Sequence, residues 1–236
     1  FYGPHGCKIA ERATTEASIV QFVNQQIRKW DSGPAEKDRK SQVRIPVNTV
    51  SMEPGSGGSL VAEAVADRLG FDYFHRDIIQ GIAKSAKIRA SVIDTIEKER
   101  LTGIDDFIAS LYKSQYLYPG IYMEHLLKVV NTIADHGNAV IVGRGANFIL
   151  PPDERFSVRV VAPLEIRIQN VVRAYKVPAE KARKRVIGRE SRRSAFIRKS
   201  YNADIADPQN YDLTINTGRM RIESAVDAVI AAVKSL

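Results

Sequence analysis

The sequence of 236 residues predicts an α/β fold in which one parallel sheet is covered by helices on both faces. Short apolar runs alternate with helical patterns from residue 47 onward, which is typical of parallel strands joined by crossover helices. Hydrophobic residues make up 44% of the chain, enough to build a full core. A glycine-rich turn follows the first apolar run and leads directly into a helical pattern, as in sheets that bind phosphate at that point.

Residues 1–46 differ in character from the rest of the chain. A helix is predicted over 15–30, because its apolar residues recur at spacings of three and four and form one stripe. Residues 31–41 are rich in charge and contain Gly33-Pro34, which indicates a linker. We expect this region to be either an extra helix docked on the domain or an element that forms a homodimer. The stripe consists of Ile19, Phe22, Val23, Ile27 and Trp30.

The other elements follow from local periodicity, and residues 47–236 form the main domain. Gly70 ends one predicted helix as a C-cap, and Gly137 ends another. Residues 90–122 look helical but irregular. Strands are predicted over 47–50, 139–142, 156–162 and 211–216, with a brief aromatic run over 71–74. Helices are predicted over 60–69, 78–86, 122–136, 163–176, 179–199 and 222–233.

Composition narrows the class of partner. The formal net charge is +8, and residues 159–199 hold thirteen Lys and Arg against three Glu and no Asp, so an anionic partner is expected. A solvated helical face is the alternative explanation for that segment.

The single cysteine, Cys7, cannot build a disulfide framework or a cysteine zinc site, which fits a reducing cytoplasm. No apolar run approaches the roughly 18 residues of a membrane span, so we expect no membrane partner.

The turn between the first strand and its helix carries the sharpest local motif. Backbone N–H groups of such a loop point into one concavity at the positive end of the helix dipole, which fits a phosphate. The loop departs from the Walker A pattern G-x-x-x-x-G-K-[ST], because Met52 stands at the first glycine and Gly58 at the lysine. A purely structural turn is the alternative. The candidate phosphate-binding residues are Gly55, Ser56, Gly57, Gly58 and Ser59, and the hydroxyl of Ser59 is placed to ligate Mg²⁺.

Arginines make up the second group of candidates. Arg144 follows the apolar strand over 139–142, at the edge where open α/β folds bind ligands, although an arginine there also suits a simple strand end. Arg189, Arg192 and Arg193 lie on neighbouring turns of one predicted helix, with Arg198 further along, and guanidinium forks suit phosphate oxygens. The remaining candidate, His75, is either an acceptor ligand or an ordinary polar residue at a strand end.

The chain from about residue 45 to its end resembles the cytidylate kinase-like family of P-loop kinases, within the nucleoside monophosphate kinase superfamily. The most specific match is Asp-Pro-x-x-Tyr-Asp-Leu leading into a strand and then Asn-Thr. The matching stretches are 51–59, 73–79, 140–147, 189–201 and 206–217.

This resemblance implies a three-layer fold with about five parallel strands, a flexible arginine-rich lid, and phosphoryl transfer from ATP to CMP or dCMP with Mg²⁺. It implies that Arg144 contacts the acceptor nucleotide, together with His75 and Asp77. The lid arginines are then Arg189, Arg193 and Arg198, and Asn216 and Thr217 lie near the donor base. Since the loop lacks a lysine, the lid must supply more of the positive charge.

Two departures keep other functions open. The acids that cytidylate kinases carry on each side of the Gly-Arg pair are replaced here by Val142 and Gly145, and His75 stands where the family has an acid. With the missing lysine, this favours a catalytically weak or inactive nucleotide sensor as the first alternative. A nucleic-acid-binding protein is the second, suggested by a pI near 9.6, but the arginines concentrate in the lid segment and nucleic acid is not the expected partner.

Overall fold

The computed structural model describes residues 15–32, 47–95, 98–113 and 120–236. The apolar runs of the sequence pair into one sheet with the strand order β2-β3-β1-β4-β5, and every neighbouring pair is parallel. This confirms the predicted α/β fold with about five parallel strands. The strands are β1 (Val47–Met52), β2 (Asp72–Phe74), β3 (Ala139–Val142), β4 (Arg155–Val161) and β5 (Leu213–Asn216).

Helices connect the strands, because parallel neighbours need crossover connections. The helix predicted over 78–86 is divided in the structure. The extended backbone of Ser85 ends the first part, and its side chain caps the next by accepting from the Ile88 amide. The helices are α1 (Glu16–Asp31), α2 (Gly58–Leu69), α3 (Arg76–Lys84), α4 (Ala86–Ile93), α5 (Lys98–Lys113), α6 (Ile121–His136), α7 (Ala146–Ile149), α8 (Leu164–Tyr175), α9 (Ala179–Tyr201) and α10 (Ile222–Lys234).

The sheet has a buried apolar cluster on each face, as the three-layer prediction requires. On one face, Val61 of α2 and Val229 of α10 pack with the strands. On the other face, Leu126 of α6 and Ile79 of α3 pack with Ile141 of β3. None of the described helices is long and apolar enough to cross a membrane.

Helix α1 docks on the second of these faces. Ile19 and Val23 are 5% and 2% exposed, and Phe22 meets the Phe74 ring edge-on at 5.6 Å between centroids. Ile19 fills the notch above Gly81, where a Cβ would lie 2.1 Å from the Ile19 Cδ1. Of the two expected arrangements, docking on the same chain and formation of a homodimer, the structure shows docking on the same chain. The homodimer stays a prediction, and the predicted linker over 31–41 lies outside the described residues from residue 33 onward.

Candidate active site

The phosphate loop runs from the end of β1 to the start of α2. Gly55 has a left-handed backbone (φ +85°), and a Cβ on it would lie 2.5 Å from the Arg167 carbonyl oxygen, so only glycine fits. Among the described residues, the amides of Gly57 and Ser59 have no hydrogen-bond acceptor. They lie at the N-terminus of the 12-residue α2, where the helix dipole favours an anion.

Side chains from two other elements brace this loop. Thr217 Oγ1 donates to the carbonyl oxygen of Ser56 at 2.5 Å, and Asn170 Nδ2 donates to that of Gly55 at 2.8 Å. Asn216 Oδ1 accepts from the Gly218 amide at 2.9 Å. The structure therefore places Thr217 on the loop itself. The predicted contact of Asn216 and Thr217 with a donor base stays a prediction.

Arg167 joins the phosphate loop to helix α9. It is only 6% exposed, and its Nε lies 2.9 Å from the Ala162 carbonyl oxygen and 3.3 Å from Glu53 Oε2. Its Nη1 lies 3.2 Å from Glu190 Oε2. No sequence motif singles out this residue, although its spacing of four from the apolar Val171 places it on the buried face of α8.

A cavity of about 380 Å³ opens at the carboxyl ends of β1 and β3, between α3 and α9. Its lining includes five arginines and a single acid, Asp77, so its surface is strongly cationic. The Asp77 carboxylate lies 3.2 Å from the Arg76 Nε and does not balance the other guanidinium groups. Such a cavity suits a ligand with more than one negative charge. The lining arginines are Arg76, Arg144, Arg189, Arg192 and Arg193.

Arg144 enters the cavity from a left-handed turn. Its φ is +58°, and its guanidinium donates to Gln80 and, at 3.4 Å, to the Arg76 carbonyl oxygen. The Tyr201 hydroxyl donates to the Arg144 carbonyl oxygen at 2.7 Å and holds the turn. A Cβ on Gly145 would lie 2.3 Å from the Tyr201 ring, so the ring excludes any side chain, an acid included, from position 145.

The arginines predicted for the lid separate into two groups. Arg189 and Arg193 of α9 line the cavity, and Arg193 Nη1 donates to the Met52 carbonyl oxygen at the start of the phosphate loop. Burial, with help from neighbouring arginines, lowers the pKa of Arg193 to about 10. Arg198 is exposed and does not line the cavity, since five residues along a helix turn a side chain by about 140° away from Arg193.

Arg159 is a second cation that the sequence analysis missed. It lies on β4 opposite Ser51 and is 6% exposed. Its Nη1 donates to Ser51 Oγ at 2.8 Å, and its guanidinium lies 5.7 Å from the centroid of the Tyr211 ring. Among the described residues it has no ion-pair partner. The clue in the sequence is a charged residue within the largely apolar run over 156–162.

His75 caps helix α3 and does not line the cavity. Its Nδ1 accepts from the Asp77 amide at 3.5 Å. Burial lowers the pKa of His75, and Arg76, Arg193 and Arg144 lower it further against the opposing effect of Asp77. The structure shows the imidazole as a helix cap outside the cavity lining, and its role as an acceptor ligand stays a prediction.

Comparison with known proteins identifies the family. The sequence pattern of the cytidylate kinase-like family matches residues 47–219. The chain belongs to the cytidylate kinase-like family.

Several relatives of this family member are named cytidylate kinase. The cytidylate kinase of Methanocaldococcus jannaschii is 26% identical over 193 residues, which cover 80% of this chain and 97% of the relative. The cytidylate kinase of Ignicoccus hospitalis is 27% identical over 185 residues, covering 78% and 97%. The crystal structure of an uncharacterized protein from Eubacterium ventriosum superposes with a TM-score of 0.62 at 18% identity, over 81% of this chain and 99% of that one. That likeness concerns the fold.

A magnesium ion at the phosphate loop would find the hydroxyl of Ser59 at the start of α2. Ser59 Oγ donates to Met52 Sδ at 3.3 Å, and thioether sulfur is a weak acceptor, so the hydroxyl is free to turn. The described residues contain no group of three or more His, Cys, Asp or Glu side chains that could hold a metal. Because Mg²⁺ usually takes further ligands from substrate phosphates and water, this donor set fits an ion that arrives with a nucleotide.

Proposed function

We propose that the protein transfers a phosphoryl group from ATP to a nucleoside monophosphate, with CMP or dCMP as the first candidates. One observation carries the proposal: the phosphate loop and the arginine-lined cavity share Met52, which ends β1, begins the loop and lines the cavity. A donor on the loop amides and an anionic acceptor in the cavity would therefore be neighbours. Phosphoryl transfer requires this positioning more than covalent chemistry.

Residues in different parts of the site would have different functions in the transfer. The amides of Gly57 and Ser59 would hold the donor phosphates, and Arg76 and Arg144 would hold the acceptor phosphate. An oxygen of that phosphate attacks the γ-phosphorus while the bond to the β,γ-bridging oxygen breaks, so ADP leaves and a nucleoside diphosphate forms. Arg193 would neutralise the charge that spreads over the γ-phosphoryl oxygens.

Two further groups complete this assignment. Arg189 lines the cavity beside Arg193 and would add a second guanidinium to the lid. Mg²⁺, held through Ser59 and the phosphates, would supply additional charge neutralisation.

The names of the relatives support a cytosine nucleotide as the first acceptor to test. The cavity also holds groups able to hydrogen-bond a base, namely Asp77, Gln80 and Asn147, together with the Phe196 ring as an apolar surface. Specificity for cytosine belongs to the proposal and depends on this test.

An acceptor screen tests the function directly. Purified protein is incubated with ATP and Mg²⁺, alone and with CMP, dCMP, UMP, AMP or GMP, and ADP formation is followed. We expect CMP or dCMP to raise ADP formation well above the rate with ATP alone. As a control, Gly57→Val would strain a left-handed backbone (φ +81°) and bring a Cβ to 3.0 Å from Ile222 Cδ1, which should distort the loop and abolish nucleotide binding. Stimulation by none of the acceptors would contradict the kinase proposal.

The missing lysine favours one alternative, a nucleotide sensor on the same fold. That alternative predicts that ATP binds, as calorimetry would show, but that no acceptor accelerates ADP formation. A nucleic-acid-binding protein is less favoured, because five arginines line a cavity. Its signature would be binding to generic DNA that weakens steeply with salt.

A further inference from the structure

The two departures of the phosphate loop from the Walker A pattern are physically linked. Met52 replaces the first glycine and Gly58 replaces the lysine. A Cβ at position 58 would lie 2.5 Å from the Met52 Cβ and 3.0 Å from its Sδ. The Met52 Cβ is fixed to the backbone and cannot move aside, so position 58 cannot carry a lysine while position 52 is methionine.

A different cation lies beside Met52, the residue at which the phosphate loop begins. Arg193, from helix α9, donates to the carbonyl oxygen of Met52. It has no ion-pair partner among the described residues, and its neighbours are Arg76, Arg189, Arg159 and Arg144. Its pKa of about 10 keeps the guanidinium charged at neutral pH. A charged group without a carboxylate at the mouth of a phosphate loop is available to a phosphate oxygen.

We propose that Arg193 replaces the absent loop lysine as the cation on the β- and γ-phosphates of the donor. This inference rests on the proposed function and adds to it, because it gives Arg193 a role in donor binding before any transfer occurs. Donor binding is thereby added to the charge neutralisation that Arg193 would provide during transfer. In this protein the donor's cation lies on α9, so donor affinity depends on the position of that helix.

The anchoring of α9 supports this role. Glu190, one turn before Arg193, is tied through Arg167 to Glu53 in the phosphate loop. The helix is therefore fixed to the loop at one point, and Arg193 projects from the next turn toward Met52. A lysine inside the loop would need no such anchor, whereas an arginine supplied from another element does.

The test is to restore the lysine and ask whether Arg193 becomes dispensable. The probes are Mg²⁺-ATP and inorganic tripolyphosphate, which has the phosphates but no base or sugar, and affinity is measured by calorimetry. Arg193→Ala should weaken both by roughly tenfold or more. The double variant Met52→Gly/Gly58→Lys removes the Met52 contacts and leaves the Val160 Cβ at 3.1 Å, which requires only a small shift. Adding this pair to Arg193→Ala should restore affinity to within about threefold of the wild type.

The controls separate this inference from the proposed function. Lys184→Ala removes an exposed charge from the same helix, paired with Glu180, and should leave both affinities unchanged. Unchanged tripolyphosphate affinity in Arg193→Ala, or failure of the folded triple variant to recover, would overturn the inference. If the loop variants do not fold, Arg193→Ala against Lys184→Ala still decides it. If no nucleoside monophosphate stimulated ADP formation, the kinase proposal would be overturned, but the affinities measured here would still decide whether Arg193 binds the donor phosphates.

Discussion

Two arginines of equal burial have opposite surroundings. Arg167 and Arg159 are each 6% exposed, but Arg167 lies between the carboxylates of Glu53 and Glu190, whereas Arg159 contacts a hydroxyl and an aromatic ring. Burying a charge is costly unless it is paired. Arg167 is therefore part of the scaffold around the phosphate loop. Arg159 belongs to the cationic region around the cavity, where an anionic ligand would supply the missing partner.

The largest effect on stability should come from replacing Arg167 by an uncharged residue, with the same replacement of Arg159 as the comparison. Arg167→Met leaves two carboxylates without their partner and should lower the free energy of unfolding by about 3 kcal/mol. Arg159→Met should leave the free energy of unfolding unchanged or raise it, because it removes an uncompensated charge. Urea denaturation of both variants measures this. Equal losses would show that Arg159 is structural as well.

Helix α1 lies outside the residues that match the family, and substitutions in it test whether it stabilises the face of the sheet that carries the cavity. Ile19 packs into the Gly81 notch of α3, the helix that carries Arg76 and Asp77. Ile19→Ala should cost about 2 to 3 kcal/mol in urea denaturation. Val20, 37% exposed on the same helix, is the matched control, and Val20→Ala should change stability by less than about 0.5 kcal/mol. Similar effects of the two substitutions would contradict the docked position of α1.

Single hydrogen bonds sharpen the contrast between the two regions. Tyr201→Phe removes the bond to the Arg144 carbonyl oxygen, and Thr217→Val removes the bond to Ser56. Each should cost about 1 kcal/mol of stability. We expect Tyr201→Phe to weaken binding of the acceptor and raise the KM for it. Thr217→Val should weaken binding of ATP and raise the KM for ATP. If Tyr201→Phe instead raised the KM for ATP and Thr217→Val raised the KM for the acceptor, the proposed donor and acceptor regions would have to be exchanged.

The smallest expected effect concerns His75 and pH. Burial holds the pKa of His75 below its usual 6.5, so the unfolded chain binds a proton more readily than the folded one. The stability from the neutral cap is present above pH 6.5 and is lost as the pH falls toward the lowered pKa. His75→Asn keeps a capping side chain without a titrating group. The loss of stability between pH 7 and pH 5 should be smaller in this variant than in the wild type.

The sequence predicted those features that local patterns determine. The strand over 139–142, the helix ending at Gly70 and the glycine-rich loop follow from periodicity, capping and turn chemistry, and the structure has all three. The break at Ser85 lacks a proline or glycine and was not predictable in this way. The roles of Arg159 and Arg167 depend on which residues distant in the sequence face them, so a single sequence did not distinguish one buried arginine from the other.

The lid arginines also show that order along the chain does not reveal which side chains face the cavity. The resemblance grouped Arg198 with Arg189 and Arg193 by order along the chain. In the structure the rotation of a continuous helix separates it from the cavity. The link between Met52 and Gly58 was visible in the sequence as two separate departures from a motif, and only the distance between their side-chain positions joins them.

The docking of α1 has a practical consequence for spectroscopy. The chain contains one tryptophan, Trp30, whose ring stacks on His136 with centroids 3.9 Å apart and planes 5° from parallel. All indole emission therefore originates at the contact between α1 and the end of α6. Release of α1 would change the wavelength of that emission while the far-ultraviolet dichroism of the remaining helices persisted. A fluorimeter and a dichrograph used on one denaturation series would thus tell whether the N-terminal helix leaves before the sheet unfolds.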